Sequence, residues 1–161
     1  MTDQVLMEAL LHSRLGTELS GEQVRTLADD LAIRDLQSDE ILVREGTSDN
    51  HLYVIVSGTL SVVRNAGTAE QLTLFALVAG DLVGELSFID GTAHYASLVA
   101  TGPTRVFGLE REKLESMLPV HPEIVYRVMR AIVRTVHQIQ RRLSMQSVEL
   151  ANYIYKQHGR Y

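Results

Sequence analysis

From Pro122 to Tyr155 the chain runs without glycine or a second proline, and this stretch limits the fold more than any other. Proline is tolerated in the first turn of a helix, so Pro122 marks a start. Val125, Met129, Ile132, Val136, Ile139, Leu143, Gln146, Leu150 and Tyr153 follow at alternating steps of four and three, a heptad pattern. At about 1.5 Å per residue such a helix reaches roughly 50 Å, farther than the small domain it closes. Its first turns can pack on their own chain, but Ile139, Leu143 and Leu150 need another partner. A parallel homodimer meets that need, with Ile132, Val136, Ile139, Leu143 and Leu150 as its seam. Gln146 at a core position sets register at some cost in stability.

Ahead of that helix the periodicity differs. Up to Ala32 the chain reads as helical: Val5, Leu6, Leu10 and Leu11 recur at helical spacing, and Gly16 can end the segment. Ser20 with Gln23 three residues on is a capping box for a second helix striped by Val24, Leu27 and Leu31. Short runs rich in β-branched residues come next, bounded by Gly, Asp or Asn: 41–43, 52–56, 60–63, 71–75, 95–100 and 104–109. Ser57-Gly58 and Asn65-Ala66-Gly67 are tight turns. Residues 85–89 form a helical turn, and 111–117 a short helix stopped before Pro119. The expected class is α+β: an antiparallel β-roll of jelly-roll type, flanked by N-terminal helices and one long C-terminal helix. Residues 1–120 form the helices and roll, and 121–161 the dimerisation helix.

The chain of 161 residues contains no cysteine, which excludes disulfides and thiolate metal sites. A net charge of −5 argues against a nucleic-acid backbone as the main partner. No run is long and apolar enough for a membrane span, so a cytoplasmic protein is expected. His12, His51, His94, His121, His137 and His158 show no local metal-ligand spacing. With no nucleophile elbow or phosphate-loop motif either, no enzyme is expected. Arg127, Arg130, Arg134, Arg141 and Arg142 give the long helix a basic character. They read as the solvated flank of a coiled coil, or alternatively as a docking face for an acidic protein partner.

The segment Glu45-Gly46-Thr47-Ser48-Asp49-Asn50-His51-Leu52-Tyr53 and onward to Val62 resembles the front half of a cyclic-nucleotide-binding domain. Gly80-Asp81-Leu82-Val83-Gly84-Glu85-Leu86-Ser87-Phe88-Ile89 resembles the start of that family's phosphate-binding cassette. Independently of the family, a glycine before a helical turn leaves the amides of Glu85, Leu86 and Ser87 pointing outward, an arrangement that attracts anions. The resemblance implies that Glu85 accepts hydrogen bonds from a ribose hydroxyl. It also implies an arginine gripping the cyclic phosphate, where this chain has Ala93-His94-Tyr95-Ala96-Ser97. His94 takes the arginine's place and Tyr95 replaces a small residue. On the closing helix, Thr135, Ile139 and Gln140 face the ligand by alignment from Pro122.

The expected ligand site is therefore Gly84, Glu85, Leu86, Ser87, His94, Tyr95, Thr135 and Gln140, with a cyclic nucleotide as the candidate ligand and no metal. Neutral histidine lacks the planar, permanently charged fork of arginine, so binding is expected to be weak or atypical. The function implied is a regulatory sensor signalling through its dimer helix. The alternative is a protein-interaction scaffold whose nucleotide pocket has decayed. Family members that regulate transcription carry a helix-turn-helix, and the residues after Leu150 are too few for one, so DNA binding is not expected.

Overall fold

Strand β3 (His51–Ser57) organises the molecule, because its residues are buried in both directions. Leu52 and Val54 join one apolar cluster with the helices, and Ile55 joins a second between the sheets. A strand covered on both faces reads as a continuous apolar run rather than an alternation, hence Leu52-Tyr53-Val54-Ile55-Val56. The computed structural model describes residues 3–158.

Two four-stranded antiparallel sheets pack face to face. The first has the order β1 (Leu31–Leu36), β8 (Thr104–Glu110), β3, β6 (Leu82–Val83). The second runs β2 (Ile41–Val43), β7 (Ser97–Ala100), β4 (Thr59–Arg64), β5 (Leu72–Val78). The expected jelly-roll-like class is what the chain adopts. The edge strand β1 was not evident from the sequence, because only Leu36 of it is buried. Its backbone ladder to β8 holds it, together with a two-pronged pair from Arg105 to Asp35 at 2.6 and 2.8 Å.

Helices α1 (Asp3–His12), α2 (Gly21–Ala28), α4 (Arg111–Ser116) and α5 (Pro122–His158) cover the outer face of the first sheet. The capping box of α2 is formed in both directions. Between α1 and α2 a 3-10 turn, Gly16–Glu18, brings the Glu18 carboxylate under α5. There it meets Arg134 at 2.9 Å and Arg130 at 3.2 Å. Two of the arginines read as a solvated flank are thus spent on a shielded carboxylate, which would be costly to bury without partners.

Along α5 the residues facing the core are Ile124, Val128, Ala131, Ile132 and Thr135. Ile132, expected on the dimer seam, is 1% exposed and belongs to that core. Val136 is partly buried against the same cluster. The exposed apolar face sits further round, at Tyr126, Met129 and Val133. Beyond the roll, Leu143, Leu150 and Tyr153 are exposed as well.

A Cβ on Gly16 would lie 1.9 Å from the Leu10 carbonyl oxygen, whereas one on Gly21 meets nothing within 4 Å. Gly16→Ala is therefore expected to destabilise the protein by roughly 1–3 kcal/mol. Gly21→Ala, in the first turn of α2, is expected to stabilise it by about 0.4–1 kcal/mol. Denaturant melts of the two variants check the pair, and equal midpoints would contradict the packing described.

Candidate ligand hollow between the roll and the long helix

Strand β6 pairs Val83 with Tyr53 of β3, and the next residue, Gly84, starts α3 (Glu85–Asp90) with φ +79°. That left-handed backbone is one L side chains rarely adopt. A Cβ there would also lie 3.1 Å from the His51 carbonyl and 3.5 Å from the Tyr53 ring. Glycine lets the backbone turn sharply off β6 and begin a helix beside β3. The first turn of α3 is also tied to the β2–β3 loop, through Ser87. Its hydroxyl accepts from the Asp49 amide at 2.7 Å and donates to the Asp49 carbonyl at 2.9 Å.

Beside Gly84 opens a hollow. Of the expected ligand residues it gathers Gly84, Glu85, Leu86, His94 and Tyr95. Ser87 does not line it; that side chain is spent on Asp49. Gln140 lies in an adjoining groove between α5 and the rim, with Leu86, Tyr95 and Leu143. Thr135 lines a separate cleft on the far side of Ile139. Ile139 itself borders all three spaces.

The floor and walls are apolar. Val43, Val62, Phe75, Leu77, Val83 and Leu98 come from strands of both sheets. Sequence reading missed them because each is an ordinary inward position of a strand, and only closure of the roll brings them together. Tyr95 is 41% exposed and stands at the rim beside Leu86 and α5 instead of filling the space.

The polar groups inside are few. Glu85 is only 7% exposed, and burial raises its carboxyl above the ordinary range, partly offset by a hydrogen bond from its own amide. Burial also raises the Tyr95 phenol, with the Glu85 charge adding to the effect. The His94 backbone is fixed by paired bonds with the 46–47 turn at 2.8 and 2.7 Å. Its Nε2 is buried without a hydrogen-bond partner, 3.6 Å from the Asp49 carboxylate. No Lys or Arg among the described residues lines the hollow. The arrangement offers an acceptor at Glu85, a ring nitrogen at His94 and a dry apolar wall. Among the described residues no group of three His, Asp or Glu could hold a metal ion. No helix of the described residues is long and apolar enough to cross a membrane.

Folded Glu85 holds its proton more tightly than it would in the unfolded chain. This stabilisation is complete below the ordinary carboxylate pKa and is lost as pH rises through the raised value. Glu85→Gln, neutral at every pH, is expected to melt higher than the parent at neutral pH and to lose that advantage on acidification. Parallel curves of melting temperature against pH for the two proteins would overturn the assignment.

Residues 33–121 match the family described as cyclic nucleotide-binding domain. The chain is 25% identical over 142 residues to the CRP-like cAMP-activated global transcriptional regulator of Mycobacterium tuberculosis, covering 88% of this chain and 62% of that protein. It is 29% identical over 138 residues to the Pycsar effector protein PaPycTIR of Pseudomonas aeruginosa, covering 83% and 42%. The solved structure of a cyclic nucleotide-binding domain from Methylobacillus flagellatus KT matches with a TM-score of 0.75 at 27% identity, covering 86% of this chain and 78% of that one. The chain spans less than two thirds of the length of both curated relatives.

Proposed function

Since the chain belongs to the cyclic nucleotide-binding domain family, we infer that it is a non-enzymatic regulatory sensor whose hollow takes a cyclic nucleotide weakly. One observation carries this reading: the hollow beside Gly84 is walled on one side by the cassette and on the other by Ile139 of α5. A ligand there touches both the roll and the helix, so occupancy changes how the helix sits. Glu85 receives a sugar hydroxyl and the apolar wall receives the base. The phosphate meets His94 where the family pattern has arginine, and with no guanidinium in the hollow the grip is loose.

The signal passes to α5, whose exposed face at Met129, Val133 and Leu143 we assign to a second copy of the chain. Ile139 belongs half to the ligand space and half to this seam, so the two are mechanically adjacent. The absence of a cation from the hollow, among the described residues, also favours a second reading, an interaction scaffold that binds no nucleotide.

Titration calorimetry separates the two. Parent protein is expected to give weak heat with cyclic AMP or cyclic GMP, and His94→Arg to tighten binding about ten- to hundredfold, the worth of one charge-assisted contact. No heat from either protein at millimolar nucleotide would leave only the scaffold.

Light scattering tests the seam. The parent is expected at twice the chain mass, and Leu143→Asp or Val133→Asp at the monomer mass. A monomeric parent at high concentration would refute pairing.

A further inference from the structure

On the other side of Leu77, Leu82 and Ile139 from the ligand hollow lies a second, smaller cleft, between the β5–β6 turn and α5. Its polar lining differs from that of the first. Arg14, Asp81, Thr135, Gln138 and Arg142 meet there. None of Gly84, Glu85 or His94 reaches it.

Arg14 donates through Nε to Asp81 at 2.8 Å and through a terminal nitrogen to the Gln138 side-chain oxygen. Asp81 is further occupied by the Val78 amide at 2.9 Å. Arg142 has no carboxylate partner among the ion pairs of the described residues. Its guanidinium lies 5.0 Å from the centre of the Phe75 ring. Two guanidiniums against one carboxylate leave the cleft with one unbalanced positive charge, in a chain whose net charge is −5.

Thr135 supplies the second observation. It is 5% exposed, and its Oγ1 is buried with no hydrogen-bond partner. A helical threonine can donate to the carbonyl one turn back, and this one does not. Buried hydroxyls are rarely left unsatisfied, so the group points to a missing acceptor. The guanidinium of Arg142, the unused nitrogen of Arg14, the Gln138 amide and the Thr135 hydroxyl are all donors. Donors converging on a small cleft with excess positive charge select an oxyanion.

We propose that this cleft is a second ligand site, for a tetrahedral oxyanion of the phosphate class, separate from the nucleotide hollow. The anion accepts from Thr135 and Arg142 on α5 and from Arg14 at the junction after α1, while Arg14 keeps its bond to Asp81 on the β5–β6 turn. It therefore pins three elements together and holds α5 against the roll. The proposal stands without the nucleotide reading, because the two sites share only apolar wall residues.

Inorganic phosphate is the probe, compared with chloride at matched ionic strength. Phosphate is expected to raise the melting temperature saturably and to shift the amide resonances of Thr135, Gln138 and Arg142. Arg142→Gln and Thr135→Val are each expected to weaken binding about tenfold or more. Arg127→Gln, on the same helix but outside the cleft, keeps the full response. Thr135→Val has a further signature: without phosphate it melts no lower than the parent, since an unsatisfied hydroxyl has been removed. Phosphate binding without nucleotide binding would sink the sensor reading and leave this site standing. The reverse result, undiminished phosphate binding in Arg142→Gln, or no saturable response at all, would overturn the proposal, with water then filling the cleft.

Discussion

The two-sided burial of β3 is the constraint on which the rest of the molecule depends. Because Leu52 and Val54 point to the helices while Ile55 points to the opposite sheet, neither the helices nor the second sheet can shift without uncovering it. The Tyr53 ring packs close to two glycines. A Cβ on Gly108 would come within 3.3 Å of it and one on Gly84 within 3.5 Å, so the absent side chains make room for the ring. His51 stacks on the same ring with centroids 5.7 Å apart. The start of α3 is therefore set by a core strand and not by a loop. A short helix held in this way has little freedom to move.

The long helix shows what a heptad pattern can and cannot reveal. Its existence, its start at Pro122 and its excess length over the roll were all legible, because each follows from spacing and the absence of breakers. Which apolar stripe faces which neighbour was not. A helix at 3.6 residues per turn can carry two adjacent apolar stripes. Ile132 and Val136 are one turn apart, yet the first is sealed in the core and the second straddles its edge. Val128 and Ala131, absent from the heptad, are as buried as Ile132. The packing that decides between the stripes comes from α1, α2 and α4, and the heptad carries no information about them.

The candidate site divides in the same way. Gly84 was legible because its backbone requirement leaves a trace in residue type, whereas Glu85, His94 and Tyr95 were placed by the resemblance to the family's cassette. Thr135 and Ser87 were placed in the ligand set by position, but the fold uses them differently: Ser87 to anchor Asp49, Thr135 to line another cleft. Strand β1 escaped for an opposite reason. Ala32 through Asp35 are exposed, so no burial pattern marks them, and the backbone ladder with β8 has no signature in side chains.

Charge placement then bears on what the hollow can hold. A carboxylate driven toward its neutral form, an unpartnered imidazole nitrogen and a wall of valine, leucine and phenylalanine make a cavity that resists uncompensated negative charge. The guanidiniums lie on the far side of that wall: Arg14 on Asp81, Arg142 over Phe75. Phe75 is itself a wall residue of the hollow, so the nearest of these cations is separated from it by one aromatic ring. That ring, under Arg142 of α5, and Ile139 of α5 place the helix directly against the hollow. The hollow and α5 are thus joined by packed side chains, which have few alternative arrangements.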